Sequence, residues 1–152
     1  MRVRLLLVLL ALATLAFAAD PAADKAALMK LHTQDRDAHL KGDADLIVAP
    51  LAPVVTEVSS GHVSSMKRED AKAKFGEYLK TVKYTAWDDA SEPVITISSD
   101  GKLAWMIVEI KVEVAPVGNP VDKRNFMNSA IETFEKGPDG WHMTAIAATV
   151  GK

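Results

Sequence analysis

The chain has 152 residues, 18 of them basic and 20 acidic, and no cysteine. Without cysteine there is no disulfide and no thiol chemistry, so stability rests on packing. The charges are interspersed and form no basic face, which argues against nucleic acid as a partner.

Arg2 and Arg4 precede an apolar run from Leu5 to Phe17, which ends in the A-x-A site Ala16-Phe17-Ala18. This is the pattern of a secretory signal peptide cleaved after Ala18. At ~1.5 Å per residue the run covers about 20 Å, short of the ~30 Å hydrocarbon core, so a membrane helix is the weaker reading. No cysteine follows for a lipid anchor. The expected mature chain, residues 19–152, is one secreted or periplasmic domain with no membrane contact after cleavage. Loss of Arg2 and Arg4 from the 18 basic residues leaves 16 against 20 acidic ones, a formal charge of −4.

Asp20-Pro21 predicts a helix start, with Asp as N-cap and Pro at the first helical position. Ala27, Leu28, Leu31, Asp35 and Ala38 recur at helical spacing, and Gly42 stops the helix. Asp35 is the one acid on that apolar stripe. Asp43 caps a short second helix through Val48, ended by Pro50 and Pro53. Val54 to Ser59 reads as a strand, and Gly61-His62-Val63 as a turn with a short return strand. A further helix opens at Met66-Lys67-Arg68-Glu69-Asp70, with Ala71, Phe75, Tyr78 and Leu79 as its stripe. Strand character returns at Tyr84 to Trp87, breaks at Asp88-Asp89 and resumes from Val94 to Ser98.

The last third predicts an antiparallel meander. A two-residue turn at Asp100-Gly101 pairs Ser99 with Lys102 and fixes the register. One face then carries Ile95, Ile97, Ala104, Met106, Val108, Ile110 and Val112, all apolar, and is the expected core face. The opposite face carries Leu103, Trp105, Ile107, Glu109, Lys111 and Glu113. After a loop from Ala115 to Lys123, Phe126 to Lys136 and Trp141 to Val150 form a hairpin closed by Gly137 to Gly140. Lys136 then opposes Trp141. The more apolar hairpin face holds Asn128, Ala130, Glu132, Phe134, Trp141, Met143, Ala145, Ala147 and Thr149, and is expected to face inward. The other face holds Met127, Ser129, Ile131, Thr133, Glu135, His142, Thr144, Ile146 and Ala148.

This order of elements resembles the SnoaL-like branch of the nuclear transport factor 2-like superfamily over nearly all of the mature chain. The residues that carry the resemblance are Lys41-Gly42-Asp43-Ala44-Asp45, Ser60-Gly61-His62-Val63, Asp100-Gly101-Lys102-Leu103-Ala104-Trp105, and Thr133-Phe134-Glu135-Lys136 with Asp139-Gly140-Trp141. The resemblance implies an α+β cone, a curved mixed sheet wrapped around N-terminal helices and enclosing a pocket. Its members include isomerases, dehydratases and polyketide cyclases. Others only bind ligands or dimerise through the sheet, so fold alone does not choose among them. Many SnoaL-like members carry a histidine about six residues after the last-strand tryptophan and a serine two beyond; here Ala147 and Thr149 stand there.

Two carboxyls inside an apolar pocket could exchange protons near neutral pH, which makes Asp35 and Glu132 the catalytic candidates. Candidate ligand contacts are Tyr78, Met106, Phe134 and Trp141, with Met143, Ala145 and Ala147 on the last strand. The small alanines would leave room for a small hydrophobic ligand. His32, Asp35 and His39 share one helix, but His32 and His39 lie ~10 Å apart along its axis, too far for one metal. They read as a solvated helix edge, and His62 and His142 as surface residues. No nucleophile elbow or phosphate loop is present. Neither a metal nor a cofactor is expected. Trp87, Trp105 and the Leu103/Ile107 patch form a candidate interface, with Trp105 and Ile107 at its centre, suited to a homodimer through the outer sheet face. The leading expectation is a small-ligand-binding domain. The alternative is a cofactor-free isomerase or lyase, of ketosteroid-isomerase or dehydratase type.

Overall fold

The structure, a computed structural model, describes residues 20–151. The expected signal peptide lies outside the described residues. Helix α1 (Pro21–Lys41) begins where the Asp20 side chain accepts from the backbone N–H groups of Ala22 and Ala23, and it ends at Gly42 in the left-handed region, φ 67°. The short helix α2 (Ala44–Val48) is capped by Asp43, which accepts from Leu46 N. Strands β1 (Leu51–Ser59) and β2 (His62–Lys67) form a hairpin, and helix α3 (Arg68–Leu79) follows directly. Met66 and Lys67, expected to open that helix, belong instead to β2, where they pair with Val55 and Val54.

The remaining strands are β3 (Val82–Asp89), β4 (Val94–Ile97), β5 (Leu103–Pro116), β6 (Arg124–Gly137) and β7 (Gly140–Gly151). They join one curved sheet in the order β2-β1-β7-β6-β5-β3. Among the described residues only β1 and β7 pair in parallel. Strands β3 and β4 lie end to end along the same edge of β5. The expected break at Asp88-Asp89 is not there, since both residues pair with β5. The closing hairpin turns more tightly than expected. Gly137 pairs with Gly140, leaving Pro138-Asp139 as the turn, while Lys136 does oppose Trp141.

The expected register holds, with Ile97 paired to Ala104 and Val94 to Ile107. The turn is wider than two residues: Ser99 and Lys102 do not pair, Ser98 N donates to Leu103 O, and Gly101 N donates to Ser98 O. The predicted core face of β5 follows. Ala104, Met106, Val108, Ile110 and Val112 are all buried. They pack with Leu28 of α1 and Phe134 of β6 in the main core. A second cluster joins Ala38, α2, Ala71 of α3 and Val55 of β1. Each fully buried Leu or Phe in such a core contributes about 2 kcal/mol.

Two β-bulges set what this sheet presents inward. On β3, Tyr84 pairs with Val114 and Ala86 with Glu113, which leaves Thr85 as the extra residue. On β7, Met143 pairs with Phe134 and Ala145 with Thr133, which leaves Thr144 extra. Each bulge flips the side-chain alternation beyond it. Tyr84 and Trp87, three apart, therefore both face inward, as do Met143 and Ile146. The flip also corrects the expected hairpin faces. Ala145 and Ala147 pair with Thr133 and Ile131 on the outer face, while Ile146 and Ala148 turn inward. The threonines are anchored at the bulges. Thr85 Oγ1 donates to Glu113 Oε1 at 2.5 Å, and Thr144 Oγ1 lies 3.1 Å from Thr133 Oγ1.

Candidate functional site

The helices and the concave face of the sheet enclose a cavity of about 380 Å³, within the usual range for a small-molecule site. Its apolar wall comes from Leu31 of α1, Ile47 of α2, Phe75 of α3, Phe126 and Phe134 of β6, and Ile146 of β7. Polar side chains interrupt this wall on three elements. Helix α1 supplies His32, Asp35 and His39 on successive turns; β1 supplies Glu57; and β6 supplies Asn128 and Glu132.

Glu132 sits in the middle of the inner face. Met106 of β5 and Ile146 of β7 flank it in the ladder, both apolar. Its side chain touches the cavity rather than bulk water, so its surface is partly open while protein surrounds it. Burial therefore pushes its carboxyl pKa up to about 8, with the negative charge of Asp35 adding to the rise. Glu132 carries a proton at neutral pH.

Asp35 is held from its own helix. His39 Nδ1 lies 3.2 Å from Asp35 Oδ1 and 2.9 Å from the Asp35 carbonyl. The imidazole of His39 stacks on Trp87 at 3.8 Å and 7°, with Tyr84 edge-on at 5.1 Å. Burial pulls the His39 pKa down, but the hydrogen bond and charge of Asp35 outweigh it, and the net shift is upward. His32 Nε2 lies 2.8 Å from Asp89 Oδ1. His32 and His39 are thus buried in the cavity wall, not on a solvated edge as expected. The reason is that α1 lies across the sheet, and acids on β3 and α1 satisfy the rings. Burial also raises the pKa of Tyr84, with help from Tyr78 and Asp35. Arg36 reaches Asp88 on the surface and leaves Asp35 to the cavity.

The candidate residues divide by position. Asp35, Glu132, Phe134 and Met143 line the cavity. Met106 is wholly buried beneath it as core. Trp141 packs in the core at the other end, where its Nε1 donates to Asp24. Tyr78 is exposed on α3, because a 12-residue helix against a curved sheet buries only part of its stripe. Ala145 and Ala147 face outward, so the position where the resemblance places a histidine does not open on the cavity. His62 is exposed, and His142 is half-buried against Asp139 at 2.9 Å. Glu57, whose facing the sequence leaves open, turns into the cavity on the same side of β1 as the buried Val55. Sequence reasoning missed Asp24, which accepts from Lys136 Nζ at 2.5 Å and Trp141 Nε1 at 3.1 Å and ties α1 to the last hairpin. Among the described residues, no cluster of three or more His, Asp or Glu side chains is placed to hold a metal.

On the convex face, one row of paired residues crosses six strands: Val94, Ile107, Ile131, Ala147, Val58 and Val63. All are apolar. The next row contains Trp105, which is 38% exposed. Trp87, expected to join this patch, is buried inside by the β3 bulge.

No family model matches the chain, and no curated protein matches it in sequence. Solved structures do. A nuclear transport factor 2-like superfamily protein from Salmonella enterica matches with a TM-score of 0.73 at 15% identity, over 88% of this chain and 94% of that one. A candidate dehydratase of the nuclear transport factor 2-like family from Streptomyces avermitilis matches at 0.62 and 17% identity, over 85% and 96%. A nuclear transport factor 2-like protein from Cytophaga hutchinsonii matches at 0.65 and 13% identity, over 82% and 96%. The chain therefore has the nuclear transport factor 2-like cone fold. At these identities the likeness is one of fold.

Proposed function

We propose that this chain binds a small, largely apolar molecule in the cone, with Glu132 as its central polar contact. The carrying observation is the pairing of an apolar cavity of about 380 Å³ with a buried carboxyl that opens onto it. Core packing normally fills such space with side chains, and here it does not. The test is an apolar fluorescent probe, which should bind the wild type and lose binding when Ala148→Phe fills the cavity.

One observation favours a second reading, a cofactor-free isomerase or lyase of the SnoaL-like kind. Glu132 keeps its proton to about pH 8, close to Asp35, which is held by His39. Two acids in different environments suit general acid–base work on a carbonyl substrate. On this reading Glu132→Gln abolishes turnover and leaves probe binding intact. Turnover that survives the change would remove Glu132 from the mechanism.

We also propose that two copies pair through the convex row, and that the protein works outside the cytoplasm. The uncovered apolar row supports the first. The Arg2-to-Ala18 pattern supports the second.

A further inference from the structure

We propose that the cone selects small hydrophobic cations, ammonium-bearing molecules with an apolar body, over neutral or anionic molecules of the same shape. This rests on the reading of the cavity as a ligand site and names the class of ligand.

The charges around the cavity are unbalanced. Three carboxyl side chains line it, Asp35, Glu57 and Glu132, and among the described residues no Lys or Arg does. The two imidazoles are already engaged. His39 serves Asp35, and His32 serves Asp89, which is not part of the lining. Glu57 accepts a hydrogen bond from the Ser59 hydroxyl at 2.8 Å, which orients it without cancelling its charge. Glu132 has only apolar ladder neighbours and no hydrogen-bond donor that stabilises its charged form.

Each element packed around Glu132 can be checked for a counter-charge. Strand β5 offers Met106 and β7 offers Ile146, neither titratable. Helix α1 brings Asp35, which opposes ionisation, with His39 and His32 turned to their own acids. Strand β1 brings Glu57, a second acid, and β3 brings Tyr84 with its proton held by burial. Helix α3 contributes Phe75 and Ala71, and α2 contributes Ile47. A positive group from outside is what would complete this arrangement.

An ammonium entering beside Glu132 forms a charge-assisted pair where water is scarce. The proton leaves Glu132 for the solvent as the pair forms, so the charges balance. Rings of Phe75, Tyr84 and Phe126 in the wall add the attraction of aromatic faces for cations. A neutral molecule gains only one hydrogen bond from the protonated acid. An anion meets carboxyls, with no Lys or Arg among the described residues of the lining to offset them.

Calorimetric titration of the unmodified protein with benzylamine, benzyl alcohol and benzoate tests this. The three share a ring and differ in charge. Benzylamine should bind about tenfold or more tighter than benzyl alcohol, as expected for a charge-assisted pair against a neutral one, and benzoate should not bind. Titrations in two buffers of different ionisation heat should show about one proton released per benzylamine at pH 7. Its affinity should fall by about tenfold per unit as pH drops below 8, while benzyl alcohol stays level. Glu132→Gln should remove both the preference and the proton release. The proton count on the unmodified protein stands even if the variant folds poorly. Equal or weaker binding of benzylamine, or no proton release, overturns the cation inference and leaves the pocket reading standing. No binding of any of the three overturns the pocket reading as well.

Discussion

Glu132 on β6 lies directly opposite Ile146 on β7, and Ile146 in turn pairs with Glu57 on β1. One apolar side chain thus separates two acids on a single inner row of the sheet. At ~4.8 Å per strand the two backbones stand about 10 Å apart. That spacing puts both carboxyls on one cavity wall and keeps them out of mutual contact. Glu132 is the enclosed one, and its protonation is coupled to folding.

The pKa of Glu132 is raised in the folded state, so the fold binds its proton where the unfolded chain has lost it. Its contribution to stability is complete below the ordinary value of 4.5 and is lost as pH rises through about 8. At ~1.4 kcal/mol per unit this amounts to at most about 5 kcal/mol. Glu132→Gln, which cannot ionise, should therefore flatten the decline. Urea unfolding at pH 5 and pH 8 should show the variant near wild type at the lower pH and more stable at the higher one. An unchanged pH slope would mean that Glu132 is not buried as described.

The β7 bulge makes adjacent alanines inequivalent. Ala148 lines the cavity and Ala147 faces outward. Ala148→Phe should fill the space, abolish binding of an apolar probe and cost about 1–3 kcal/mol from overpacking. Ala147→Phe adds the same ring to the convex face and should leave probe binding unchanged. Probe fluorescence with thermal unfolding checks both. The reverse pattern would mean that Thr144 is not the extra residue.

This pair of alanines also marks where the sequence stops being readable. The caps at Asp20 and Asp43, the stop at Gly42 and the Asp100-Gly101 register are local chemistry, and each appears where the residues imply it. The inner face of β6, with Phe134 and Glu132, follows from simple alternation. Beyond Met143 alternation misleads, because a bulge adds one residue and no side-chain pattern announces it. Thr85 hides Tyr84 and Trp87 in the same way. The two buried histidines were illegible for another reason. Their partners Asp89 and Trp87 are distant in sequence, and only the packing of α1 across β3 brings them together.

Asp24 joins the first turn of α1 to the last hairpin. One carboxylate oxygen accepts from both Lys136 and Trp141, while the other has no partner. The Lys136 hydrogen bond holds its pKa below 3.8 against the opposing effect of burial, and Trp141 assists. The depressed value means a contribution present above pH 3.8 and lost as pH falls through the folded value. Asp24→Asn should cost about 1–3 kcal/mol at pH 7, the usual range for a charged buried hydrogen bond. Denaturant unfolding should show that difference shrinking below pH 3.8. An equal loss at every pH would assign the effect to packing rather than charge.

The convex row gives the last test. From Val94 to Val63 it crosses six strands, about 24 Å at ~4.8 Å per strand, with Ile131 near its centre beside Ile107. Such a row on a monomer exposes apolar surface that a second copy would cover, and a two-fold axis near Ile131 would bring the same residues together from both sides. Ile131→Glu puts two charges against each other at that axis and should shift a dimer to monomer. Its effect on a lone subunit should be within ~0.5 kcal/mol, because the side chain is already 41% exposed. Sedimentation velocity of wild type and variant over a concentration series reads the outcome. A wild type that sediments as a monomer at all concentrations would refute the pairing. A variant that stays dimeric would move the interface away from this row.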